Sequence, residues 1–145
     1  MNERIQKLKT PEDCERFAKN ATERGYPDLA LAARKRAIGL KAELHGAPTL
    51  AERECLKAVY AYEDVLTARN GRRTRATRTW QMIERHGILG AVERAVKRET
   101  VGYTLLQSMG LQDYAFEAIV LKYPSGFSAE AVTRCEERIR QWNNP

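Results

Sequence analysis

TLAERECLKAVYAYEDVLTARNGRRTRATRTWQMIERHG, residues 49–87, reads as helix, break and second helix, and it decides the fold class. Thr49 followed three residues later by Glu52, directly after Pro48, is the pattern of a capping box that opens a helix. Leu56, Val59, Tyr60 and Leu66 continue at helical spacing until Asn70-Gly71, a strong stop. A further helix is expected from about Arg72 to Arg85, ended by Gly87. On its wheel Ala76, Trp80 and Ile83 form an inner stripe with Met82 at the margin, while Thr74, Arg78, Gln81 and Arg85 occupy the opposite face.

The same punctuation extends to both sides. Thr10-Pro11-Glu12-Asp13 reads as N-cap, N1 proline and acidic first turn, with Gly25 as a helix stop and Pro27-Asp28 as the next start. Leu29, Ala32, Ala33, Ala37, Leu40 and Leu44 follow at helical steps, and Gly46 closes that segment. Downstream, a shorter helix is expected over about 88–97, and a brief helical turn between Gly102 and Gly110. Asp113 is expected to cap a helix carrying Phe116, Ile119, Val120 and Tyr123, and Ser128 to begin a last helix carrying Val132, Cys135, Ile139 and Trp142. No stretch sustains the period-two alternation of a strand. The expectation is an all-α chain, a compact array of about seven to nine helices. Long antiparallel helix hairpins fill residues 1–98 and shorter helices follow. A chain of 145 residues fits a single domain over 1–145, and the change of helix length marks Glu99 as the place for a subdivision.

The formal net charge of +6 is unevenly spread. Residues 1–46 carry a net +3, residues 47–98 a net +5 and residues 99–145 a net −2. A basic excess of this kind attracts phosphate backbones or an acidic partner. It peaks where no Asp or Glu occurs between Val65 and Ile83, and where Arg69, Arg72, Arg73, Arg75 and Arg78 crowd ten positions. Exposed helices ordinarily interleave acids with their bases, because such pairs stabilise the helix slightly. Arginines at a helix start are unfavourable against its dipole unless an external anion joins them.

These features point to a nucleic-acid-binding module, with DNA favoured over RNA. Helix, short turn and basic helix is the layout of a helix-turn-helix. In that layout Thr74, Thr77, Arg78 and Gln81 approach base edges, while Arg69, Arg72, Arg73, Arg75 and Arg85 hold phosphates. The role expected is that of a bacterial- or phage-type regulator, or of the recognition part of a DNA-processing system. The competing reading neutralises the arginines inside the fold, with Glu54, Glu63 and Asp64 or with Glu130, Glu136 and Glu137. A helical protein-interaction or scaffold module, as a homodimer or with a protein partner, is the alternative function; its mark is an exposed apolar patch among residues 101–127.

Other chemistries find little footing. His45 and His86 each precede a glycine at an expected helix end, where an imidazolium suits the helix dipole. Cys14, Cys55 and Cys135 are far apart and lack metal-ligand spacing, so they read as core thiols of a protein in the reducing cytoplasm. The four aspartates, Asp13, Asp28, Asp64 and Asp113, are scattered, and no phosphate-binding glycine loop or nucleophile elbow occurs. No catalytic residue, metal site or cofactor is expected. No apolar run is long enough to span a membrane. Tyr60, Tyr62, Tyr103, Tyr114, Tyr123 and Trp142 are candidate stacking surfaces for single-stranded bases, but at helical positions with apolar neighbours they read chiefly as packing residues; Tyr62, the poorest fit to its helix's apolar stripe, is the preferred exposed aromatic.

Overall fold

The structure is a computed structural model that describes residues 3–98 and 102–143. The described residues form eight α-helices: α1 (Glu3–Gln6), α2 (Pro11–Glu23), α3 (Pro27–His45), α4 (Leu50–Asn70), α5 (Thr77–Val96), α6 (Gly102–Ser108), α7 (Phe116–Lys122) and α8 (Ala129–Asn143). Two short 3-10 turns, Gln112–Tyr114 and Pro124–Gly126, flank α7, and the described residues contain no strand. The chain forms two compact units, Met1–Gly46 and Ala47–Pro145. The subdivision expected at Glu99 falls outside the described residues, and the stretches on either side of it belong to one unit.

In the first unit α2 and α3 pack as a helical hairpin. Thr10 accepts the Asp13 N–H at 3.1 Å, and Pro11 occupies the first turn. At the other end, Gly25 (φ 82°) lets its own N–H reach Thr22 O and the Tyr26 N–H reach Ala21 O, which satisfies two orphan helix carbonyls. The core between the helices is built of small residues: Ala18, Ala21, Ala30 and Ala33, with Ile5 from α1. Alanines let two helix backbones approach closely at little entropic cost. Arg36 Nε donates to Leu8 O at 3.2 Å, and Lys41 pairs with Glu15 at 2.9 Å.

The second unit is organised around α4. Thr49 accepts the Glu52 N–H at 3.2 Å and its hydroxyl donates to Glu52 Oε1 at 2.7 Å, so the capping pair forms side chain to side chain. Cys55 and Ala58 of α4 meet Val92 and Val96 of α5, Ile119 and Val120 of α7, and Ala131 and Cys135 of α8 in one buried core. Ser128 caps α8 by accepting the Ala131 N–H at 3.1 Å. Asp113 does not cap α7, contrary to expectation. It lies inside the 3-10 turn, and α7 starts after Ala115 with no side-chain cap.

α5 differs from expectation at its start and agrees at its middle. Gly87 (φ 77°, ψ 171°) interrupts it, so segments 77–86 and 88–96 are distinct helical pieces. The first piece begins at Thr77 rather than Arg72, and residues 73–76 have no regular structure. The link between α4 and α5 is therefore 71–76, six residues, where a helix-turn-helix uses about three or four. Among the described residues no helix is long and apolar enough to cross a membrane.

Candidate functional site

The link between α4 and α5 is a tied loop. Gly71 leaves α4 in the left-handed region (φ 70°, ψ 14°), which a residue without Cβ adopts freely. The Thr74 N–H then donates back to Thr67 Oγ1 at 3.0 Å. Thr74 Oγ1 accepts from Asn70 Nδ2 at 3.1 Å and donates to Arg72 O at 2.9 Å. Thr74 is thus consumed by loop geometry, which corrects its expected place on the exposed face of a helix reading base edges.

Glu63 of α4 fixes the entry to α5. Its Oε2 accepts the Ala76 N–H at 2.9 Å and the Trp80 Nε1–H at 2.6 Å. Arg75 Nε lies 3.8 Å from the same oxygen, with its guanidinium over the Trp80 ring. Tyr60 packs against Trp80 with ring centres 5.3 Å apart. Ala76 supplies no capping side chain, so the glutamate of the neighbouring helix takes over that role. Of the acids that could neutralise the arginine stretch, Glu63 does so for Arg75. Glu54 instead pairs with Lys57 and Lys122, and Glu130 with Lys97.

Arg72, Arg73 and Arg75 therefore precede the helix instead of forming its first turn, a correction that follows from the tied loop. Arg78, Gln81 and Arg85 do sit on the first piece of α5 and are exposed, as their spacing of three and four predicts. Thr77 is exposed at the first helical position, and Arg69 is exposed in the last turn of α4. Among the described residues no acidic side chain pairs with Arg69, Arg72, Arg78 or Arg85.

The second unit also holds a cleft of about 810 Å³. Arg69 and Arg78 line it, joined by Arg98 and Arg138. Tyr62, Tyr103, Tyr114, Phe116 and Trp142 supply aromatic wall. Tyr103 and Trp142 stack with ring centres 3.9 Å apart and planes within 7°. The acid lining it among the described residues is Glu117, buried and paired with Arg138 Nη1 at 2.9 Å. The second Arg138 nitrogen donates to Arg98 O, and Arg134 donates to Lys97 O, so arginines of α8 satisfy carbonyls just past the end of α5. Burial, with the Glu54 and Asp113 charges adding to it, raises the Tyr114 phenol above its ordinary range.

Sequence reasoning found Arg69, Arg78 and Tyr62 but not Arg98, Tyr103, Arg138 or Trp142 as their companions. No local signal joins those four to the arginine segment, because Arg98 follows the end of α5, Tyr103 comes from α6, and Arg138 and Trp142 from α8, by tertiary packing. The large exposed hydrophobics among the described residues are Tyr26, Leu44 and Leu50, all outside 102–127. Among the described residues no group of three His, Cys, Asp or Glu side chains is placed to hold a metal ion. Comparison with protein-family models, with curated protein sequences and with solved structures found no match.

Proposed function

We propose that this chain is a helical nucleic-acid-binding module, with DNA favoured over RNA, that grips phosphates with the arginines between Arg69 and Arg85. The observation that carries the reading is the exposure of Arg69, Arg72, Arg78 and Arg85 without an acidic partner among the described residues. On α4, Glu63 is already occupied by Ala76, Trp80 and Arg75. Guanidinium groups in this state are matched to phosphate oxygens, which they contact in forked pairs. Arg78, Gln81 and Arg85 share one exposed helical face suited to a groove, and Arg72, Arg73 and Arg75 form a basic loop beside it. The loop is six residues long, so the binding mode is a basic loop with a helix rather than a compact helix-turn-helix. Such a module serves as a regulator or as the recognition part of a DNA-processing system. Three buried free cysteines suit work in a reducing cytoplasm.

The test compares the protein with a variant in which Arg72, Arg73, Arg75 and Arg78 are all alanine. Each lost phosphate contact weakens binding at every sequence alike. The expected result is a loss of affinity for a labelled DNA of at least about a hundredfold at low salt. Unchanged binding by a folded variant contradicts the proposal.

A further inference from the structure

The cleft bounded by α4, α5, α6 and α8 carries chemistry that phosphate binding alone does not use. It is an open cleft with a volume of about 810 Å³, large enough to admit a small organic group. Guanidinium groups and aromatic rings share its walls: Arg69, Arg78 and Tyr62 with Tyr103 and Trp142. Glu117, the acid lining it among the described residues, is already neutralised by Arg138. The cleft therefore presents a positive field beside flat apolar surface.

Those two properties together suit one class of ligand. Ring faces are accessible only on bases that are not stacked in a duplex, and aromatic side chains recognise such bases whatever their sequence. A duplex offers base edges and phosphates and leaves an aromatic cleft unused. Resting on the nucleic-acid reading above, we propose that this cleft takes an unpaired base of single-stranded nucleic acid. Tyr62 and the Tyr103–Trp142 stack hold the base, and Arg69 and Arg78 hold the phosphates beside it. Arg69 and Arg78 line the cleft, are exposed and have no acidic partner among the described residues, so their charge is available to a ligand there. The proposal joins the basic segment to residues of α6 and α8, which charge patterning alone leaves unconnected.

The experiment is a fluorescence-anisotropy titration of the full chain with a labelled single-stranded oligonucleotide and with the same sequence as duplex. The single strand is expected to bind at least about tenfold more tightly, because only it offers base faces. Tyr62→Ala is expected to weaken single-strand binding about ten- to hundredfold, the range seen when one stacking platform is removed. Tyr62→Phe keeps the ring and is expected to restore most of that affinity, which separates lost stacking from lost fold. Arg78→Ala, an exposed change, is expected to lower single-strand affinity and reduce its salt dependence by about one phosphate contact. If duplex binds as tightly as single strand, or if folded Tyr62→Ala binds single strand unchanged, the cleft proposal fails. Should that happen while the Arg72→Ala/Arg73→Ala double variant still loses binding to both forms, the nucleic-acid reading itself survives. If neither nucleic acid binds, both readings fall.

Discussion

Glu63 Oε2 accepts a 2.6 Å hydrogen bond from Trp80 Nε1, seventeen residues along the chain and in the next helix. The same oxygen accepts the Ala76 N–H at 2.9 Å. One carboxylate therefore sets both where α5 begins and how its first turn faces α4. Glu63→Ala leaves two partly buried N–H groups without their acceptor. The expected cost is about 1–3 kcal/mol of folding stability, with Glu63→Gln, which keeps an acceptor oxygen, costing less. Urea unfolding followed by tryptophan fluorescence checks this, and equal midpoints for the wild type and the alanine variant would show that the contact is idle.

Glu93 ties the start of α8 to α5. Its two oxygens accept from Ser128 N at 2.8 Å and from Ser128 Oγ at 2.7 Å, and Lys97 Nζ lies 2.8 Å away. Burial alone raises a carboxyl's pKa, but the hydrogen bonds from Lys97 and Ser128 outweigh it and bring Glu93 from 4.5 down to about 2. A carboxylate with a depressed folded pKa contributes stability that is complete above its unfolded value. That contribution is lost as pH falls from 4.5 towards about 2. After discounting for solvent screening, it amounts to about 1–2 kcal/mol. Glu93→Gln is therefore expected to destabilise the protein near neutrality and to flatten the acid limb of a stability–pH curve. An acid limb identical to that of the wild type contradicts the assignment.

Glu117 and Arg138 form an ion pair whose side chains are only 6% and 15% exposed. Removing one member of a buried pair strands the other charge, which costs about 3 kcal/mol or more. Glu117→Ala is thus expected to destabilise strongly. The Glu117→Leu/Arg138→Met double variant, which removes both charges, is expected to recover much of that loss. Thermal unfolding of the two variants tests this, and a double variant no more stable than the single one would contradict it.

Cys55 and Cys135 are fully buried in the core of the second unit. Burial, with the charges of nearby glutamates adding to it, pushes both thiols up to about 12. Burial raises Cys14 as well. The thiolate is the reactive species. All three cysteines are therefore expected to resist iodoacetamide in the native protein and to react together on unfolding. Mass spectrometry after timed labelling reads this directly, and rapid native labelling of Cys55 or Cys135 contradicts the burial described.

Much of the helical frame was legible because it is written in local punctuation. Thr10-Pro11, Thr49-Glu52 and Ser128 act through contacts three residues apart, and Gly25, Gly71 and Gly87 through their own backbone angles. The start of α5 was not legible, since periodicity alone carries the helix back to Arg72. What stops it at Thr77 is tertiary: Thr67 holds Thr74 across seven residues and Glu63 holds Ala76 across thirteen. The arginine segment was visible as composition, but its geometry was not. The cleft was legible only in part: Tyr62 stood out on its own helix, while Tyr103, Arg138 and Trp142 reach it from elements more than thirty residues along the chain.

Exposed arginines between Arg69 and Arg85 are proposed to neutralise phosphates. The most direct test is DNA affinity across a salt series, because bound phosphates release counterions in proportion to their number. With four or five contacts, the log–log slope is expected to be about −4, and alanine at Arg72, Arg73, Arg75 and Arg78 should flatten it clearly, leaving only the share carried by Arg69 and Arg85. A slope near zero in the wild-type protein, or a slope of about −4 that survives the quadruple replacement, would contradict the account.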